Sequence, residues 1–318
     1  MAFLIGIDEA GYGPNFGPLV ISATAWEVQG DPCRANLYKR LGKAVSDGPD
    51  GARLAIADSK LLYNPQRGLG LLERGVLSIL ALLGCRLGDW CDVWDRLRAD
   101  GDGHRHHLPW YAGYRRPLPL VPAEEPLPDA TEPLRRVCQA RRVRLAVVES
   151  RAVFPQRFNA LVAQHGTKGE ALSRLTLDLL ADVMAGLPAD QQVLVVCDKH
   201  GGRNRYGALL QQRFPDTLVE VRKESRPVSI YRWGPQDCRV EVRFCAGGES
   251  FMPAALASMT SKYLRELAMQ ALNDFWCREL PTLRRTAGYP TDSYRFKRDI
   301  ADCQRNLKID DGILWRVR

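Results

Sequence analysis

Two apolar runs end in carboxylates. AFLIGID, residues 2–8, closes on Asp8 with Glu9 directly after it, and QVLVVCD, residues 192–198, closes on Asp198. Short β-prone runs of this kind read as buried strands. In α/β sheets, ligands bind beyond the strand ends. If the two strands are neighbours, their acids converge and repel one another, and burying them unpaired is prohibitive. A divalent cation resolves the conflict, and oxygen-only donors point to Mg²⁺ or Mn²⁺ rather than zinc. A pair of such ions about 4 Å apart activates water and steadies the leaving oxygen of a phosphodiester. The alternative is plainer: Asp8 and Glu9 cap the next turn, and Asp198 begins a loop. Adjacent side chains on a strand face opposite ways, so Glu9 joins Asp8 only if the GYG loop at 11–13 has already turned the chain.

The elements that must position these acids can be read in outline. GYGPNFGP, residues 11–18, is a turn-rich loop, and residues 18–28 form a second strand, the hairpin partner of the first. Residues 58–83 begin with DSK and become helical. Residues 143–150 are a third strand, 155–186 are mainly helical, 192–198 and 217–223 are further strands, and 227–233 with 238–244 form a hairpin around GPQD. Residues 252–276 are the best helix of the chain, rich in small residues at first and then amphipathic. The layout is mixed α/β, with helices packed on a central sheet.

Five motifs, in order, carry a resemblance. GIDEAGYGP at 6–14 resembles the G-I-D-E-A-G-R-G-P signature of ribonuclease HII. DSK at 58–60, VVCDK at 195–199, ALASMTSKYLREL at 255–267 and GYPTD at 288–292 resemble its later segments. The resemblance covers roughly residues 1–83 and 143–318. It implies a ribonuclease H-like fold, α/β, with a mixed sheet flanked by helices and a C-terminal helical part. It also implies an endonuclease that hydrolyses the RNA strand of RNA/DNA hybrids and incises DNA at embedded ribonucleotides, leaving 5′-phosphate and 3′-hydroxyl ends. The family uses four carboxylates. Asp8, Glu9 and Asp198 match three, and Glu249, the one acid in AGGESFMPAALASMTSK, is the fourth, where the family has Asp. Asp8 is the candidate to bridge two metal ions.

The same resemblance suggests substrate contacts. Gly11 and Gly13 would bring backbone up to the sugar hydroxyl that distinguishes RNA from DNA. Tyr12 stands where the family has Arg, so the cation there is missing. Lys60 and Lys262 match phosphate-binding positions, and Tyr289 matches the tyrosine that packs on a deoxyribose. Lys199 departs from the family's Gly after the third acid, and would either approach a phosphate or crowd the metals. These departures keep two other readings open: a nucleic-acid-binding relative with weak or no activity, and a nuclease for another nucleic-acid structure.

The rest of the chain is less specific. The reading divides it into a catalytic core at 1–83 and 143–276, an insertion at 84–142 and a C-terminal extension at 277–318. The stretch 84–134 holds seven of the 20 prolines and three of the 7 tryptophans, which suggests an insertion built from loops. Its aromatics, Trp90, Trp94, Trp110, Tyr111 and Tyr114, read as the miniature core of that insertion or as a stacking surface for bases. HRHH at 104–107 reads as a solvated loop. The 9 cysteines are odd in number and form no CxxC pair, so reduced thiols are expected. A net charge of +8 over 318 residues fits either a polyanionic partner or plain solubility. Three arginine-rich stretches, at 135–144, 203–226 and 295–318, are candidates to face phosphates. No run is long enough to span a membrane and the first residues lack signal-peptide character, so a cytoplasmic protein is expected, and the resemblance implies a monomer.

Overall fold

The computed structural model describes residues 1–317 except 65, 67, 86, 101–102 and 121–129. Its strands are β1 (Ala2–Ala10), β2 (Leu19–Val28), β3 (Val45–Ser46), β4 (Leu54–Ala55), β5 (Arg144–Val153), β6 (Gln192–Asp198), β7 (Glu220–Glu224), β8 (Val228–Trp233) and β9 (Val240–Cys245). Seven of them make one sheet in the order β5-β2-β1-β6-β9-β8-β7, while β3 and β4 pair separately. β5, β2 and β1 are antiparallel neighbours, β6 and β9 run parallel to β1, and β8 and β7 return antiparallel. Helices flank this mixed sheet, and the Pro290–Asn306 helix lies in the C-terminal part, as the resemblance implies.

Alternation along β1 splits the core. Phe3, Ile5 and Ile7 face a cluster completed by the Lys168–Ala185 helix, and Ala2 and Leu4 face the Met252–Glu279 helix. Gly6 lies on that second face. A Cβ there would stand 2.0 Å from the Ala254 nitrogen, so the long helix starts in direct contact with the β1 backbone. Thr24 on β2 pins the same spot by donating to the Pro253 carbonyl at 2.8 Å. Small residues at the helix start make this approach possible. The long helix is buried on most of its surface rather than amphipathic in its second half, because the Gly70–Leu82 helix and the 90–111 aromatics cover its far side.

Those aromatics form neither a miniature core nor an exposed stacking surface. Trp90, Trp94, Trp110 and Tyr111 are buried in the same cluster as β1 and the long helix. Trp94 stacks on Phe154 just beyond β5, and Trp110 meets Phe275 edge-on. The segment also covers the outer edge of β5, where Ser150 and Ala152 donate backbone hydrogen bonds to Leu97 and Ala99. HRHH is a short 3₁₀ turn with exposed histidines. Arg105 within it is buried between Asp95, Asp100 and the faces of Trp90 and Trp94. Pro122, Pro126 and Pro128 lie outside the described residues.

All nine cysteines are free thiols. Among the described residues, no helix is long and apolar enough to cross a membrane. Much of the positive charge is consumed internally. Arg135 and Arg136 pair with Glu132, Arg203 with Glu170, Arg213 with Asp178, and Arg295 with Asp292 and Asp299. Arg316 of the third stretch is wholly buried and faces no solvent, and Arg318 lies outside the described residues.

Candidate active site

β1 and β6 run side by side in parallel, with Ile7 opposite Cys197, so Asp8 near the end of β1 and Asp198 at the end of β6 lie at the same end of neighbouring central strands. Glu249 reaches the same place from the Gly248–Ser250 turn, which leads into the long helix. The Asp198 carboxylate accepts from the backbone N–H groups of Gly247 and Gly248 at 3.2 and 3.3 Å, which ties the turn to β6.

Asp8 is buried and faces Ser258 on the long helix. Its Oδ1 accepts from the Glu9 amide at 2.8 Å. Burial, reinforced by the charges of Asp198 and Glu249, pushes its carboxyl up to about 7, against the lowering effect of its hydrogen bonds. Glu9 is pushed well above the carboxylate range, first by burial and then by Asp8, Asp198 and Glu249. The four acids thus share one electrostatic site. Glu9 does not reach it by a turn of the chain. β1 stays paired with β2 through Ala10, so Glu9 projects to the sheet face opposite Asp8, beside Tyr12.

The acids feel one another's charge. Yet among the described residues no three His, Cys, Asp or Glu side chains are drawn close enough to hold an ion as they stand. The one lysine at the cluster, Lys60, stands 3.8 Å from Glu249 with its side chain 83% exposed, a weak counter-charge for four carboxylates. With Asp8 buried, Glu9, Asp198 and Glu249 half-buried and so little compensating charge, these oxygen donors are of the kind that could hold a hard divalent cation such as Mg²⁺ or Mn²⁺.

Lys60 lies in the first turn of the short Ser59–Leu62 helix, where its amide donates to the capping Asp58, and Ser59 joins Ser258 through their hydroxyls at 3.2 Å. Lys262 lies one turn beyond Ser258. It is not a free cation. Its Nζ donates to Glu266 at 2.6 Å and sits over the Tyr63 ring, while Tyr63 donates to the other Glu266 oxygen. Tyr289 is 45% exposed at the start of the Pro290–Asn306 helix, with the Arg265 guanidinium against its ring.

Gly11 has φ +89°, and a Cβ there would meet Arg265 Nε at 2.6 Å. Its backbone is therefore fixed from beneath. Gly13 is open, with nothing within 4 Å of a Cβ. The Tyr12 hydroxyl packs near Gly201 and Gly169, and burial and Glu9 raise its pKa. Tyr12 is thus turned toward the Glu9 face.

Lys199 neither approaches the acids nor offers itself to a phosphate. Its Nζ donates to the carbonyls of Arg203 and Ser225, to Asn204 Oδ1 and to Ser229 Oγ, stapling the chain after β6 to the start of β8. His200 is buried between Ser173 and Thr176, and burial holds it down to about 3, so it is neutral.

Sequence reasoning missed Ser258 and a chain of buried hydroxyls behind Asp8. Ser261 donates to the Asp8 carbonyl at 3.0 Å, its oxygen meets Ser22 Oγ at 2.8 Å, and Ser22 meets Ser150 at 2.8 Å. Serines on the inner face of an otherwise apolar strand and helix were the available signal.

No family model matches the chain, and no curated protein matches it. Among solved structures, it is similar to a chain of the PCNA:RNase HII complex from Archaeoglobus fulgidus, at 15% identity and TM-score 0.45, covering 99% of this chain and 94% of that one. It is similar to the ribonuclease H2 of Pyrococcus horikoshii at 14% identity and TM-score 0.49, covering 98% and 92%. It is also similar to Bst-RNase HIII in complex with Mn²⁺ at 15% identity and TM-score 0.45, covering 99% of this chain and 66% of that one.

Proposed function

We propose that this chain is a divalent-metal-dependent endonuclease of the ribonuclease H type, which cuts the RNA strand of RNA/DNA hybrids and leaves 5′-phosphate and 3′-hydroxyl ends. One observation carries the reading. Asp8 and Glu9, Asp198 and Glu249, three stretches far apart in sequence, lie near enough at one end of the sheet to act on one another's charge, and burial with that repulsion raises Asp8 to about 7. The five ordered motifs support the same reading.

In this proposal the four acids hold Mg²⁺ or Mn²⁺. A bound pair of such ions would activate water and neutralise the departing 3′ oxygen. The protein's own part is positioning. The Gly247 and Gly248 amides orient Asp198, and Ser258 and the Glu9 amide orient Asp8. The Gly11–Gly13 backbone approaches the ribose, Tyr289 offers its exposed ring to the adjacent sugar, and Lys60 stands toward the phosphates, while Lys262 would reach one only by leaving Glu266. Incision of DNA at an embedded ribonucleotide is the finer form of the same proposal, as is the division into a core with an 84–142 insertion.

A nucleic-acid-binding role with little cleavage is favoured by one feature, the Lys60–Glu249 contact at the position of the fourth acid. Labelled RNA/DNA hybrid, and DNA carrying one ribonucleotide, incubated with Mg²⁺ or Mn²⁺, separates the two readings. Cutting by the wild type and not by Asp198→Asn supports the nuclease. Binding without cutting by both supports the alternative.

A further inference from the structure

Two arginines lie side by side beneath the glycine loop. Arg316 is 0% exposed and Arg265 1%. Arg316 donates through Nη2 to the carbonyls of Gly11 and Pro14, and its cation stands 4.9 Å from the Phe158 ring centre. Its backbone embraces the same loop: the Arg316 amide donates to the Asn15 carbonyl at 2.8 Å, and Asn15 Nδ2 donates to the Arg316 carbonyl at 2.9 Å. Asn159 locks the segment from behind, donating to the Trp315 carbonyl and accepting from the Val317 amide. From the other side, Arg265 donates to the carbonyls of Phe16 and Ala287.

This is a costly arrangement. Among the described residues, no carboxylate pairs with Arg316, and its Nε and Nη1 have no hydrogen-bond partner. Burying a cation on carbonyl oxygens alone carries a desolvation penalty, and a second buried guanidinium beside it adds repulsion. Burial and Arg265 pull Arg316 down to about 9, which leaves it charged at neutral pH. Packing alone does not require a charge here. Fixing the loop uses it, because the two N–H groups of the one Nη2 nitrogen reach both carbonyls at once.

The consequence lies at the far side of the loop. In a trans peptide, the carbonyl and the following N–H point in opposite directions. Pulling the Gly11 carbonyl inward turns the Tyr12 N–H outward, next to the open backbone of Gly13. We propose that Arg316 is a positioning residue that presents the Tyr12–Gly13 backbone to the ribose 2′-hydroxyl of the substrate strand, so that RNA is told from DNA by a loop clamped from a segment some 300 residues away in sequence. This rests on the proposed function and adds a residue to it.

Arg316→Met and Arg316→Lys test the clamp, in the full chain. The first readout is hydrogen exchange of the amides of residues 11–17, which needs no activity. Arg316→Met should speed it by about tenfold or more, the equivalent of one lost hydrogen bond, with Arg316→Lys in between. The second is a KM-against-kcat split on RNA/DNA hybrid: KM should rise about tenfold while kcat stays within about twofold. Exchange unchanged from wild type overturns the clamp. Faster exchange with kcat lowered and KM unchanged overturns the ribose-reading role. A wild type that neither binds nor cuts hybrid overturns that role together with the proposed function, while the exchange result still decides whether Arg316 holds the loop.

Discussion

Asp8 is a carboxylate buried against Ser258, with Asp198 and Glu249 adding to the cost of its charge. In metal-free protein that cost is borne by the fold. Asp8→Asn removes the charge and keeps the shape, so its melting temperature in chelator at pH 8 is expected to exceed that of wild type, by roughly a few degrees. Added Mn²⁺ should raise the wild-type melting temperature and leave that of Asp8→Asn nearly unchanged. Asp198→Asn should lose at least about 10³-fold in hybrid cleavage while remaining folded, read by initial rates and circular dichroism. Lys199 makes the opposite prediction. Its ammonium satisfies four acceptors around the chain after β6, so Lys199→Met should cost about 2–3 kcal/mol in denaturant unfolding and leave the acids in place. The sequence placed Lys199 beside Asp198 correctly, but the acceptors that capture it come from residues 203–229, which no local pattern reveals.

At the scale of elements, the site is set by how the long helix meets β1. The absence of a side chain at Gly6 lets Ala254 touch the strand, and this contact brings Ser258 and Ser261 to Asp8. Gly6→Ala should therefore cost about 3 kcal/mol or more and displace the helix, measured by urea midpoint and by loss of activity per folded molecule. β1, β2 and β6 were legible as apolar runs bounded by turns, the β8–β9 hairpin by its turn signal, and the long helix by its length, although the amphipathic second half expected of it is buried instead. The Thr131–Arg141 and Gly207–Arg213 helices were not: the first follows a proline-rich stretch, and the second is too short to show a period. The facing of Glu9 stayed open in the sequence for a related reason. Whether a strand ends at its acids or two residues later depends on the partner strand, and β2 keeps β1 in register through Ala10.

For the whole molecule, a core shared across the supposed insertion changes what its removal would do. Trp94 is buried between Trp90, Tyr111 and Phe154, in the cluster that also contains β1 and the long helix. Trp94→Ala should cost about 3–5 kcal/mol and lower a single cooperative transition, rather than melt residues 84–142 separately, as read by calorimetry. Composition showed the proline and tryptophan enrichment, but not that the tryptophans pack across to β5. Nor did it show that most arginines in the basic stretches are paired with acids of this same chain. The account's central claim is that Asp8, Glu9, Asp198 and Glu249 hold hard cations together. Crystals soaked in Mn²⁺ test it most directly. It predicts anomalous peaks ligated by these four carboxylates, lost when Asp198 is replaced by Asn. Mn²⁺ bound elsewhere, with the four acids left unligated, would contradict it.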